Sequence, residues 1–185
     1  MDAKTAEIVK AGWAMFARYG YTKTTMSDIA TQAGVARQTV YNAFSSKEDI
    51  LRAVVRHAGE MSLAEIQAAW SRCDSVIGKL DTFQELGPLC WYRAILAAPD
   101  WGALMDGMHQ AAKSELEALE REWIEVLVKM LGDTLSGSRS PEQVEEAARF
   151  FYTTSKNAKY GARDIDDLSE RLKTINKATC ALLKI

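Results

Sequence analysis

The sequence predicts an all-α protein, and three observations carry that prediction. Apolar residues recur at intervals of three and four along almost the whole length, few stretches alternate, and the prolines fall only at 88, 99 and 141. The 185 residues, 48% hydrophobic and 26% charged, suit one medium domain or two small ones and argue against disorder. No run approaches the roughly 20 apolar residues that span a bilayer, and Met1 to Glu7 lack the apolar segment of a signal peptide, so a cytoplasmic protein with no membrane partner is expected.

The first helix is expected over 3–19, lining up Ile8, Gly12, Met15, Phe16 and Tyr19, with Gly20 where a left-handed cap is wanted. Thr24 or Thr25 then caps a short helix that turns Ile29, Ala30 and Ala33 inward. Gly34-Val35-Ala36 makes a three-residue turn before another short helix over 37–44. Two short helices joined by a tight turn containing Gly form the helix-turn-helix pattern, in which Gly accepts positive φ and the next apolar residue packs between the helices. Ser46 caps a long helix that opens with Lys47-Glu48-Asp49 and runs to about Trp70.

Farther along, a helix over 82–98 is broken or restarted at Gly87-Pro88, since proline suits a first turn and disrupts an interior one. A short helix follows Pro99-Asp100, and a charged one covers 111–131. Gly132 to Ser140 read as a flexible loop, Pro141 starts a helix to about Gly161, and Asp164 to Asp167 lead into a last helix ending near Leu183.

Charge is unevenly spread. The net charge is −2, but through Arg56 there are eight bases against five acids, a net of +3, which leaves −5 for the remainder. A mildly basic head on an acidic body turns the head toward phosphates. Cys73, Cys90 and Cys180 are far apart and in no CxxC pair, and His57 and His109 have no partner four residues on. Neither a disulfide framework, a metal site nor a catalytic triad is suggested, and no cofactor is expected.

On the helix over 37–44, a period of 100° per residue puts Val40, Ala43 and Phe44 on one side and Gln38 and Asn42 on the other. Arg37, Thr39 and Tyr41 flank the two amides. Such a face offers bidentate contacts to adenine and groups for phosphate or guanine, although in isolation such a pattern is more often a solvated helix surface.

The wider pattern is more specific. Thr24-Thr25-Met26-Ser27-Asp28-Ile29-Ala30, Ala33-Gly34-Val35, Thr39-Val40-Tyr41-Asn42-Ala43-Phe44 and Ser46-Lys47-Glu48 occur in order. Together they resemble the DNA-binding domain of the TetR (tetracycline repressor-like) family over about residues 6–55. The resemblance implies a homodimer with an N-terminal helix-turn-helix domain, here 1–50, and a C-terminal helical ligand-binding and dimerisation domain, here 51–185. Such proteins are usually repressors released from double-stranded DNA by a small molecule.

Carried over position by position, the resemblance implies phosphate contacts at Thr25 and Ser27 and recognition-helix contacts at Arg37, Gln38, Thr39, Tyr41 and Asn42. Lys47 matches the basic residue that opens the fourth helix against the DNA backbone. Two positions depart from the pattern: Ala36 replaces the Ser or Thr that often caps the recognition helix, and Ala43 replaces a commonly aromatic or His position.

Beyond residue 57 the reading is physical. Trp91, Tyr92, Ile95 and Leu96, then Trp101, Leu104, Met105 and Met108, then Trp123, Val126, Leu127 and Met130 form three apolar groups. A plain core accounts for such residues. A pocket for an apolar or aromatic effector would also be lined this way, by Trp91, Tyr92, Trp101, Met105, Met108 and His109, with Arg93, His109, Asn157 and Tyr160 as orienting polar groups.

The small-residue face Ala147-Phe151-Ser155-Ala158-Ala162 permits close approach by another helix, and Leu168, Leu172, Ile175, Thr179 and Leu182 recur at helical spacing on the last helix. Each face completes a core equally well, but the resemblance places a four-helix dimer interface at these two helices. The expected function is a ligand-responsive repressor on a palindromic operator. A regulator without a ligand, and an α-helical enzyme or adaptor, are the alternatives, the enzyme disfavoured by the scarcity of His and the scattered Cys.

Overall fold

The computed structural model describes residues 1–97 and 112–185, and the side chains of all of these except 94–97. The chain is all-α, and contacts divide the described residues into two compact units. One holds 1–60 with 95–97 and 112–119, and the other holds 61–94 with 120–185.

In the first unit, α1 (Ala3–Tyr19) starts at Asp2, whose carboxylate accepts the Thr5 N–H at 2.9 Å. It buries Ile8, Val9, Ala11, Gly12 and Phe16. Gly12 lets α1 approach α4 (Lys47–Trp70) closely, since a Cβ there would lie 2.7 Å from the Ile50 Cγ2 methyl. The sequence period turns Tyr19 inward; as the final residue of the helix it is instead 44% exposed, beneath the Arg18 guanidinium. Gly20 takes the positive φ expected of it, 81°, but an extended ψ of 155°, so the chain leaves α1 straight rather than in a left-handed turn.

α2 (Met26–Gln32) packs on α1 and on α3 (Arg37–Ala43). Gly34 has φ 65°, and the Val35 N–H closes the turn on the Ala30 carbonyl at 3.1 Å. In α3 only Val40 is buried. Ala43, inward by the sequence period, is exposed: α3 ends there and Phe44 turns extended at φ −139°, so the period that would point it inward stops. Ser46 accepts the Asp49 N–H at 3.1 Å and so caps α4.

In the second unit, α5 (Val76–Gln84) begins earlier than the sequence suggests, because Ser75 accepts the Gly78 N–H and nucleates the first turn. A π-helical turn, Glu85–Leu89, then carries Pro88 inside it before α6 (Cys90–Ala97). A wide turn accommodates the missing proline N–H, so the helix is neither broken nor restarted. α7 (Lys113–Leu135) runs through Gly132, where the sequence suggests a loop; the Thr134 hydroxyl bonds back to the Met130 carbonyl, and the chain reverses only at Ser136 and Gly137, both at positive φ. α8 (Pro141–Asn157) opens with a capping box between Ser140 and Gln143, and Asp164 caps α9 (Ile165–Leu182).

The core of this unit centres on Phe83, whose ring meets Trp123, Phe151 and Tyr152 at 5.4, 5.2 and 6.3 Å between centroids, all edge-on. Ala147, Phe151 and Ser155 are fully buried within the single chain. Phe151 meets Phe83, and the Ser155 hydroxyl accepts from the Gln84 amide, which also donates to the Leu172 carbonyl. Of the face expected to receive a partner helix, Ala147, Phe151 and Ser155 are therefore covered by α5 and α9, as are Leu168, Leu172, Ile175 and Thr179, while Ala158 and Ala162 stay half-buried.

At the start of α9, the Arg163 N–H and the Arg171 guanidinium hold the Asp167 carboxyl down to about 2 from an ordinary 3.8. A carboxyl whose folded value lies below its unfolded value stabilises fully above about pH 4, and this contribution disappears as pH falls toward 2. Asp167→Asn should flatten the loss of thermal stability across that window while leaving the Tm difference constant above pH 5, as scanning calorimetry would show. No described helix is long and apolar enough to cross a membrane.

Candidate nucleic-acid interface

The helix-turn-helix presents α3 outward, with Arg37, Gln38, Tyr41 and Asn42 exposed and Thr39 half-buried. Its side chains pair at i, i+4: the Gln38 amide donates to Asn42 Oδ1 at 2.8 Å, and the Arg37 guanidinium donates to the Tyr41 hydroxyl at 3.1 Å while lying 5.2 Å from its ring centroid. Each pair fixes two long side chains in one direction. The N-terminus of α3 has no side-chain cap, as Ala36 leads one to expect.

Thr25 is the N-cap of α2. Its hydroxyl accepts the Asp28 N–H at 3.2 Å and donates to the Asp28 carboxylate at 2.7 Å, which in turn accepts the Thr25 N–H. That hydroxyl bond, with the backbone one, holds the Asp28 carboxyl below its usual range. Thr24 does not cap: it is 2% exposed, and its hydroxyl donates back to the Gly20 carbonyl at 2.8 Å. Ser27 lies half-buried in the first turn of α2.

Lys47 points inward at this turn. Its ammonium lies 2.8 Å from the Tyr21 carbonyl, 2.9 Å from that of Thr24 and 3.4 Å from that of Thr22, and 4.4 Å from the Tyr21 ring centroid. Next to it, the Tyr21 hydroxyl donates to Glu48 at 2.8 Å; burial and then that carboxylate push the phenol up, and the same bond holds Glu48 down. Sequence reasoning missed Tyr21 and Glu48 because the tie joins residues 27 apart, with no local period to signal it.

The expected effector residues are less gathered. Tyr92 is buried, its hydroxyl 3.5 Å from the Ala162 carbonyl, and Trp91 is half-buried. Trp101, Met105, Met108 and His109 lie outside the described residues. Arg93 pairs with Glu85 at 2.5 Å on the surface, Asn157 caps back onto Thr153, and Tyr160 is 59% exposed. These three polar groups are exposed, contrary to expectation: Arg93 and Asn157 on the outward sides of their helices, Tyr160 in the turn that follows α8.

Residues 8–54 match the family model described as bacterial regulatory proteins, tetR family. These residues carry the TetR-family N-terminal segment. The chain is 33% identical over 85 residues to the HTH-type transcriptional regulator YfiR of Bacillus subtilis, covering 43% of this chain and 42% of that one. It is 31% identical over 105 residues to the HTH-type transcriptional repressor LfrR of Mycolicibacterium smegmatis, covering 50% and 53%. The match thus spans about half the length of these curated relatives. The likeness in fold extends over the whole chain: a transcriptional regulator from Cytophaga hutchinsonii superposes with a TM-score of 0.72 at 21% identity, covering 99% of this chain and 98% of that one. FadR from Bacillus subtilis, in complex with stearoyl-CoA, superposes at 0.64 with 17% identity, covering 94% and 96%. The family and its relatives are regulators, not enzymes.

Proposed function

We propose that this TetR-family chain is a ligand-responsive repressor that binds a palindromic operator as a homodimer. The observation that carries the reading is the outward face of α3, where Arg37, Gln38, Tyr41 and Asn42 stand exposed on a seven-residue helix anchored by the buried Val40. Amides and a guanidinium at that spacing match base edges in a major groove, while Thr25 and Ser27 face the phosphates, with Thr39 completing the contact set. Residues 1–50 form the DNA-binding domain and 51–185 the effector and dimerisation domain.

A second copy meets α8 and α9 on the side their own core leaves open. On α9, Thr174, Ala178, Ala181 and Leu182 recur at helical spacing on that side, with Leu182 42% exposed. An apolar or aromatic effector binds beside Trp91 and Tyr92 and the segment bearing Trp101, Met105, Met108 and His109; a fold neighbour in complex with stearoyl-CoA, whose acyl chain is apolar, supports a ligand with a large apolar part. Binding shifts the population toward a dimer whose recognition helices are wrongly spaced, with a coupling of about 1–3 kcal/mol.

Selection from randomised duplexes, followed by sedimentation of the complex, tests the reading. The expected result is an inverted repeat with two chains per duplex, its half-sites about 34 Å apart or a multiple of that. A strict monomer, or selection of asymmetric single half-sites, would overturn it. For the effector, compounds found by thermal shift should weaken operator binding, and the operator should weaken theirs by the same factor.

A further inference from the structure

The polar groups of the turn between α1 and α2 converge on one cation. The carbonyls of Tyr21, Thr22 and Thr24 all point at the Lys47 ammonium, which has three hydrogens to give. The Tyr21 ring closes one side at 4.4 Å, and the Tyr21 hydroxyl ties the same turn to Glu48. Thr24, buried, pins the turn back to α1 through the Gly20 carbonyl.

Two consequences follow from the valence of the ammonium. Three backbone acceptors that no helix satisfies are satisfied here by one side chain from α4. The same side chain has no donor left over for a phosphate, so to touch DNA it would have to abandon the turn. α2 follows this turn directly and packs on α3, so the bonds of Lys47 set the orientation of the helix-turn-helix pair on the first turn of α4.

We propose that Lys47 is a positioning residue for DNA binding, acting through the carbonyls of Tyr21, Thr22 and Thr24 rather than by contact with the DNA backbone. This rests on the DNA-binding reading above. It reassigns the basic residue that opens α4 from an electrostatic contact to an internal clamp. The two roles differ in one measurable respect. A lysine that neutralises a phosphate releases counterions, and losing it lowers the slope of log K against log salt by about 0.9. A lysine that organises the protein lowers affinity at every salt concentration and leaves the slope alone.

The experiment measures binding of the full chain to its selected duplex and to an unrelated duplex, from low to high salt. Lys47→Met, which keeps the stem and removes the ammonium, should weaken both duplexes by roughly tenfold with an unchanged slope. Tyr21→Phe, which loses only the tie to Glu48, should weaken both by less, again with the slope unchanged. Because Lys47→Met can also unfold the chain, the wild-type protein without DNA is acylated in parallel: Lys47 should react more slowly than the exposed Lys4, Lys10 and Lys23. A slope lowered by about 0.9 in Lys47→Met, an unchanged affinity, or acylation of Lys47 at the rate of Lys23 would each overturn the clamp. A wild-type chain that binds no duplex would instead defeat the DNA-binding reading beneath it.

Discussion

Replacing Gln38 with Ala should abolish a preference for adenine at one base pair of each half-site, and Asn42→Ala should abolish the same preference at the same base pair. The reason lies in the bond between the two amides. Gln38 commits an N–H to Asn42 Oδ1, which leaves Gln38 Oε1 as an acceptor and the Asn42 Nδ2 group as a donor, both carried by exposed residues of α3. Adenine offers the complement, an N6 donor beside the N7 acceptor. Each single substitution should cost about 1–3 kcal/mol on the preferred duplex and much less on one already changed at that base pair. The double substitution should cost little more than either single one, because the first already dissolves the unit. Binding titrations on a panel of single-base variants would decide it. Losses that add, or that fall on two separate base pairs, would show that the amides read independently.

Phe83→Ala should destabilise the fold by about 3–5 kcal/mol, more than any of the other substitutions proposed. The ring is 2% exposed and lies edge-on to three other aromatic rings from α7 and α8. Truncation removes the buried area and the edge-to-face contacts together, and the stiff neighbouring rings collapse poorly into the gap. For a chain of this size each kcal/mol shifts the melting temperature by roughly 2–4 °C, so a fall of about 6–20 °C is expected. Urea unfolding followed by tryptophan fluorescence should agree, since Trp123 borders the vacated space. A loss below about 1 kcal/mol would mean that the cluster is loosely packed and the core lies elsewhere.

Much of the architecture was legible in the sequence because helix ends are written locally. Ser46, Ser140 with Pro141, and Asp164 announce their helices by side-chain chemistry within three residues, and Gly34 announces the turn between α2 and α3 by the φ it must adopt. Illegible features depended on neighbours far along the chain. Gly132 reads as a terminator, yet α7 continues through it. The small residues of α8 look suited to an approaching helix, and one does approach, but it is α9 of the same chain. Periodicity tells how closely a helix can be met and says nothing about whose helix meets it. The recognition face was legible by the same periodicity, apart from Ala43, where a seven-residue helix ran out of turns. Lys47 was legible as a basic residue at the right place, while its direction was set by carbonyls more than twenty residues earlier.

The turn around Pro88 also works as a phase shifter. Up to Gln84 the inward positions are Val76, Leu80, Phe83 and Gln84, and an uninterrupted α-helix would carry that stripe on through Gly87 to Trp91. By absorbing one extra residue, the π-helical turn advances the stripe by one place, so that Tyr92 is buried and Trp91 is left half-covered at the margin. Whatever α6 offers to a small molecule is thus dialled by the winding of five residues upstream. Rewinding them as ordinary α-helix, with none deleted, would exchange the places of an indole and a phenol without altering either.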